Sequence, residues 1–197
     1  YKVIVNPDLL PERSNSWQLG ANYQWRQRLT ADLNLFYNQV DDLIQIDQAN
    51  AQVINGISYY SYRNVDSART QGVETSLDGR PAKRLSLRLA YPLTSARDID
   101  NDIDLTNRPR HIARFGIDWQ LAARTTLTLR DRYQSSELVD SASGARSPAW
   151  NRIDVVLNQT LVKGLDAFVG VDNLLDRQRD FSDSNDVSPV TGRFIYL

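Results

Sequence analysis

The stretch "TTLTLRDRY" (residues 125–133) poses the question that decides the fold. Leu127 and Leu129 alternate with Thr126, Thr128 and Arg130. A strand sends successive side chains to opposite faces, so one face here is apolar and the other carries hydroxyls and a charge. A soluble β-sandwich buries the apolar face and wets the other. An outer-membrane barrel turns the apolar face to lipid and the polar face to its own lumen. The choice between these media has to come from the rest of the chain.

Composition narrows the field. The chain has 197 residues and a formal net charge of -1, which gives no bulk electrostatic case for binding nucleic acid. It has no cysteine, so disulfides and thiolate chemistry are excluded. It also has no methionine and starts at Tyr1, which leads to the expectation of a piece of a longer protein. No apolar run approaches the ~20 residues of a membrane helix. The mean hydropathy of -0.47 resembles that of a soluble protein, but a barrel hides its lipid face in alternation.

The alternation recurs in residues 16–25, 29–38, 72–78, 85–91, 113–120, 152–159 and 165–173. Phe36 and Val156 interrupt the polar faces of their segments. Period two dominates, and no segment carries a 3.6-residue period with caps. By parity Leu85, Leu87, Phe115, Ile117, Leu127 and Leu129 belong to the apolar face. Arg88, Arg114, Arg130 and Arg152 belong to the polar one. Asp131 falls on the apolar face and is expected to lie above the bilayer.

Tight connections at 25–28, 80–84, 121–124 and 162–164 alternate strictly with long polar ones at 47–57, 96–108, 137–149 and 174–191. An antiparallel meander puts alternate connections at opposite ends, so the short turns gather at one end and the long loops at the other. That is the outer-membrane arrangement, whereas Greek-key crossings in a sandwich mix the two ends. Trp25 and Trp119 fall near the short-turn ends, and Tyr37, Tyr91 and Tyr133 near the long-loop ends, as two interfacial girdles would require. Counting "GRFIYL" (residues 192–197) as the last strand gives about nine, and bacterial single-chain barrels close with even numbers. The expected fold is all-β: an antiparallel meander forming an open arc of a larger transmembrane β-barrel.

Several segments, in order, resemble those of TonB-dependent outer-membrane receptors. "NPDLLPERSNSWQLG" (residues 6–20) is similar to the stretch that opens a late barrel strand, and "FYNQVDDLIQI" (36–46) to the hairpin after it. "YRNVDSARTQGVET" (62–75) resembles the YxNVxxARxxGVE segment, and "NRPRHIARFGIDW" (107–119) the RPxH strand start. "VGVDNLLDRQRDFSD" (169–183) is similar to the V-x-NL-x-D signature, and "GRFIYL" to the final strand. The resemblance implies that residues 1–197 are the C-terminal part of a plugged barrel of roughly 22 strands, with the plug and TonB-contact motif upstream. It implies an outer-membrane location and energy-coupled uptake of a scarce nutrient, first a ferric siderophore or related iron chelate, otherwise cobalamin or haem. The implied partners are outer-membrane lipid, a small metal chelate, TonB through the missing N-terminal part, and colicins or phage. One departure is "YPLTSARD" (91–98), where Pro92 cannot donate to a ladder and a bulge or loosened pairing is expected.

The candidate chemistry is that of binding. Asp98, Asp100, Asp102 and Asp104 alternate in "DIDNDID", but Ile103 and Pro109 stand where an EF-hand needs Gly and Glu. A solvated loop is expected there and at Asp176, Asp180, Asp183 and Asp186, so no metal site is assigned. The polar-face arginines are expected to pair with carboxylates such as Asp118, Asp154 and Asp166, or with the plug, ahead of guiding an anionic ligand. In the loops Tyr59, Tyr60, Arg97, Arg108, Arg110 and Arg179 suit a flat, anionic, metal-bearing molecule. His111 is the only histidine, without ordered nucleophile partners, so neither an enzyme nor a cofactor is expected.

A passive porin-like channel and a soluble sandwich used for adhesion are the competing readings. The membrane assignment makes an energetic prediction. In the full-length protein refolded in bilayers, Leu129→Arg costs roughly 2–4 kcal/mol near the midplane, whereas Thr128→Arg costs little. Equal costs at the two sites would remove the assignment of faces.

Overall fold

The computed structural model describes residues 1–47 and 50–197, with residues 65 and 66 described as backbone only. The expected connection at 47–57 therefore lies partly outside the described residues. Alternating segments become strands throughout. They are β1 (Lys2–Ile4), β2 (Arg13–Trp25), β3 (Leu29–Ile46), β4 (Gln52–Ile54), β5 (Ile57–Ala82), β6 (Leu85–Asp98) and β7 (Ile103–Asp104). After them come β8 (Ile112–Ala122), β9 (Thr125–Gln134), β10 (Glu137–Asp140), β11 (Ala145–Ser147), β12 (Trp150–Val162), β13 (Leu165–Asp172) and β14 (Phe194–Tyr196).

Nine of these strands form one continuous path, β14-β13-β12-β9-β8-β6-β5-β3-β2, with β1, β4 and β7 attached to its side. The expected count of nine is that path. Every pairing along it is antiparallel. The tight connections join β2 to β3, β5 to β6, β8 to β9 and β12 to β13, and the long ones join the remaining neighbours at the opposite end. Two of the long connections carry hairpins that the sequence pattern did not announce, β4 with the start of β5 and β10 with β11. The first turns on Asn55 and Gly56, both at positive φ (52° and 75°), the pairing that favours a tight hairpin.

Register places the apolar residues in rows. Trp25, Leu29, Gly79, Leu87, Ile117, Leu129, Val155 and Val171 lie opposite one another from strand to strand. The rung nearer the short turns runs Leu85, Trp119, Leu127, Leu157, Val169. The rung on the other side runs Leu89, Phe115, Asp131, Ile153. Asp131 sits in this rung, on the side of the long loops, and among the described residues its Oδ1 has no hydrogen-bond partner.

Among the described residues no second layer covers this face, and the one other sheet is the β10–β11 hairpin. The chain exposes 13309 Å². A folded soluble monomer of its 22.5 kDa mass would expose about 9,500 Å². The excess is the area that a sandwich would have buried against a partner sheet. Among the described residues the buried apolar side chains are Ala68, Ala96, Leu138, Trp150 and Val190, and the last three belong to the long-loop end.

Large side chains on the polar face are seated on glycines directly opposite them. Phe36 faces Gly72, Arg130 faces Gly116 and Tyr196 faces Gly170. This accounts for the interruption of the pattern at Phe36, whose ring takes the space a Cβ on Gly72 would need. Pro92 has a one-sided effect. The N–H of Thr94 points to the β8 side, where it donates to Arg110 O (2.9 Å) just ahead of that strand, so the missing donor of Pro92, two residues earlier, also belonged to that side. Pairing to β5 runs through Pro92 unbroken, while the β6–β8 ladder stops at Ala90–Arg114 and returns only as a single bridge between Leu93 and His111. The expected loosening is confined to one edge of the strand.

The glycine contacts carry a prediction. A Cβ on Gly72 would stand 2.7 Å from Phe36 Cζ and overlap the Leu93 carbonyl oxygen. A Cβ on Gly116 would meet only the side chain of Arg130, at 3.4 Å and beyond. Gly72→Ala should destabilise the refolded full-length barrel by roughly 1–3 kcal/mol. Gly116→Ala should stay within about 0.5 kcal/mol. Urea unfolding in bilayers reads both.

Candidate functional site

The polar face of the sheet is a wall of paired charges. Asp118 on β8 is its centre. Its Oδ2 accepts from Arg88 on β6 at 2.8 Å, and its Oδ1 accepts from Arg130 on β9 at 2.9 Å and from the Thr128 hydroxyl at 3.0 Å. Arg88 also lies 3.9 Å from Asp78. On β12, Arg152 pairs with Asp154 (2.8 Å) and reaches Asp172 on β13 (3.3 Å). Three of the four arginines expected on this face, Arg88, Arg130 and Arg152, are held by carboxylates in this way. Asp118 and Asp154 take the part expected of them, while Asp166 accepts instead from the Thr160 hydroxyl (2.6 Å).

Arg114, the fourth, shows no carboxylate partner among the described residues. It stands directly opposite Arg132 of β9, which in turn stands opposite Arg152 of β12. Arg132 was not singled out in the sequence, although parity from Arg130 places it on the same face. Its guanidinium lies 5.2 Å from the centre of the Trp150 ring. Arg114, Arg132 and Arg152 line a groove of about 450 Å³ with Arg88, Arg130 and Asp154.

The six loop residues offered for a chelate are dispersed. Tyr59 and Tyr60 sit on the outer part of β5, with Lys2 over the Tyr59 ring and Tyr1 edge-on to Tyr60. Arg97 is tied to its own loop through Asp102 (3.1 Å) and Asp104 (3.9 Å). Arg179 covers the exposed ring of Phe181 at 5.3 Å. Arg110 lines a shallow hollow with Phe36 and Gln71. Arg108 shares a cleft of about 280 Å³ with Arg63, Leu43, Leu105 and Ser141. Arg63 lies inside the recognised "YRNVDSARTQGVET" segment and was missed because nothing in the sequence brings β5 to the loop that carries Arg108.

The acidic clusters are occupied by local structure. Asp98 is buried and accepts from the backbone N–H groups of Asp100 and Asn101 (both 3.1 Å) and from the Asn101 amide (2.9 Å). Asp180 accepts from the Ser182 hydroxyl and N–H, which hold its carboxyl below the usual carboxylate range. Asp140 is lowered in the same way by the Ser143 hydroxyl and the Ala142 N–H. Asp176 is lowered by the Arg193 N–H and then the Gln178 amide. These carboxylates work as turn caps that close the long loops. His111 takes a structural place, its Nδ1 2.7 Å from the Tyr91 hydroxyl.

The comparisons with known proteins agree with this architecture. The family described as "TonB dependent receptor-like, beta-barrel" matches residues 1–174. The iron-regulated outer membrane virulence protein of Vibrio cholerae is 24% identical over 194 residues, covering 92% of this chain and 30% of that protein. The ferric-pyoverdine M114 receptor PbuA of a Pseudomonas species is 27% identical over 197 residues, covering 90% of this chain and 22% of the receptor. The chain therefore spans under a third of the length of these relatives. Among solved structures, the copper transporter OprC superposes with a TM-score of 0.74 at 17% identity, over 96% of this chain and 31% of OprC. The ferric yersiniabactin uptake receptor FyuA of Yersinia pestis superposes with a TM-score of 0.71 at 19% identity, over 93% of this chain and 29% of FyuA. The sheet is thus an unclosed arc of a transmembrane β-barrel with its place in the cell outer membrane, and the chain belongs to the TonB-dependent receptor β-barrel family.

Proposed function

We propose that this chain is the C-terminal part of the barrel of an outer-membrane receptor that takes up a ferric siderophore or related iron chelate by energy coupling. The observation that carries the reading is the sorting of the molecule. All long connections stand at one end of a wall that is apolar on one face and charged on the other. Relatives named for iron regulation and ferric-pyoverdine reception point the cargo toward iron. Cargo meets the long-loop end first and leaves past the short turns.

The apolar rows around Leu85, Leu87, Phe115, Ile117, Leu127 and Leu129 meet outer-membrane lipid. Arg88, Arg114, Arg130 and Arg152 face the lumen. The chain acts without catalysis and without a resident cofactor. TonB engages the receptor through a region outside residues 1–197. Bacteriocins are further partners at the outer end, in keeping with the pyocin S2 complex of the structural neighbour FpvAI.

The test is uptake by cells that carry or lack the full-length gene, supplied with radio-iron as single ferric chelates under iron limitation. Cells carrying the gene should accumulate at least one ferric siderophore, and a protonophore should stop the accumulation. Deletion should abolish growth on that chelate. Accumulation that continues after the protonophore would replace this reading with a passive channel.

A further inference from the structure

The tight turns carry charge that uptake does not call for. Residues 25–28, 80–84, 121–124 and 162–164 contain Arg26, Arg28, Arg80, Lys83, Arg84, Arg124 and Lys163, and no Asp or Glu. The long connections have the opposite balance. In 96–108, and again in 174–191, four aspartates stand against two arginines. The turn cations are all exposed, and none of them forms an ion pair among the described residues. The carboxylates that follow on the polar face are already engaged, Asp78 and Asp118 by Arg88 and Asp166 by the Thr160 hydroxyl.

Backbone hydrogen bonds set these turns side by side. The Arg80 N–H donates to Arg28 O (2.7 Å), the Gln120 N–H to Arg84 O (2.8 Å) and the Thr160 N–H to Arg124 O (2.8 Å). The cations therefore run as a collar along one end of the arc. Beside the collar the apolar face begins, with Trp25, Trp119, Leu121, Leu161 and Leu165 all exposed. The Arg26 guanidinium lies 5.7 Å from the centre of the Trp25 ring. Tryptophan next to Arg and Lys whose stems lie along apolar surface is the composition of a membrane interface.

The apolar face has a notch at this level. Gly79 stands between Leu29 and Leu87 in its row and presents no side chain. The space is about 510 Å³, walled by Trp25, Leu77, Leu89 and Phe115, with Arg28 of the turn among its lining. Nothing in the backbone requires glycine there, since a Cβ would meet Leu29 Cδ1 at an ordinary 3.6 Å.

We infer that the short-turn end binds an anionic phospholipid, with its phosphate on the collar at Arg28, Arg80 and Arg84 and an acyl chain in the notch over Gly79. Short turns of an outer-membrane barrel face the periplasm, so the lipid belongs to the inner leaflet. The inference rests on the outer-membrane placement and is independent of the cargo. Unbalanced cations attract an anionic surface, and the notch adds a place for a chain. A soluble anion has no use for an apolar notch, and an acidic protein in the periplasm does not reach into the lipid-facing side. An amphiphile with an anionic head uses both features at once.

The test uses the full-length receptor in micelles of an uncharged detergent. It is titrated with phosphatidylglycerol or phosphatidylcholine of the same acyl chains, and native mass spectrometry counts the bound lipid. The wild type is compared with a glutamine variant (Arg28→Gln, Arg80→Gln, Lys83→Gln, Arg84→Gln), a lysine variant (Arg28→Lys, Arg80→Lys, Arg84→Lys) and Gly79→Leu. Heat-modifiability reports the folded barrel in each. The wild type should bind phosphatidylglycerol about tenfold or more tightly than phosphatidylcholine, and the glutamine variant should lose that preference. The lysine variant should keep most of it, since point charges serve an anionic surface. Gly79→Leu should weaken both lipids together. Glycerol phosphate, the head without its chains, should not displace the lipid even in excess.

Equal binding of the two lipids by the wild type, or a preference kept by the glutamine variant, would overturn the lipid site and leave the membrane placement standing. Displacement by glycerol phosphate would replace the lipid with a free anion. Polyglutamate that binds the wild type and not the glutamine variant, with both lipids bound equally, would assign the collar to an acidic protein instead. Unchanged lipid binding by Gly79→Leu would overturn the seat in the notch. A wild type without a heat-modifiable form would remove the membrane placement and the lipid site with it.

Discussion

Backbone pairing in a medium without water is the constraint on which this structure rests. In hydrocarbon an unpaired N–H or C=O costs several kcal/mol, so every strand that crosses must be laddered on both sides. The nine-strand path meets that demand by register alone, since almost nothing is packed behind it. The two edges show what the ladder supplies. β2 has no neighbour on its outer side among the described residues, and every residue in it is exposed. β3, paired on both sides, has mostly half-buried residues over a longer run. Loss of a rung is tolerated where the chain loses a donor, as beside Pro92, and there it falls on one side only.

The polar face obeys a second rule, that volume and charge must balance across strands. Without a core, side chains on this face pack only against what stands opposite them. A glycine therefore receives a large partner, as with Gly72 and Phe36 or Gly170 and Tyr196. A carboxylate serves more than one arginine, as Asp118 serves Arg88 and Arg130. These contacts are half exposed in the isolated arc, so solvent screens them and each contributes little to stability here. Their effect is to fix side-chain direction on the polar face.

The fold was legible in the sequence because its two signals are local. Period two gave the strands and their faces. The order of short and long connections gave the ends, even at Arg26 and Gln27, where a tight turn with two positive φ values contains no glycine. The site was less legible, because partners on a sheet depend on register across strands. That register is shifted near three of the short turns, at Gly79/Ala82, Gln120/Ala122 and Thr160/Val162. Each shift changes which residues meet, and none leaves a mark in composition. Arg132 was missed for this reason, since its interest lies in standing opposite Arg114. The burial of Trp150 was missed because it depends on tertiary packing at the long-loop end that no local pattern carries.

The same packing joins the wall to the outer loops. Asp154 Oδ1 accepts from Arg152 Nε (2.8 Å) and also from the backbone N–H of Asn173 (2.8 Å). The Asn173 amide then donates to the carbonyls of Arg177 (2.6 Å) and Thr191 (2.7 Å), which closes the two ends of connection 173–193 on one buried side chain. Further along, the Val187 N–H donates to the Ser147 hydroxyl and fastens that connection to the β10–β11 hairpin. A single carboxylate is thus shared between an arginine of the polar face and the root of a long loop. The two donors to that carboxylate oxygen are independent, one a guanidinium of the wall and one a backbone N–H of the loop root. The polar wall and the long-loop end therefore share one hydrogen-bond network, which runs from Arg152 through Asp154 to Asn173 and the two ends of its loop.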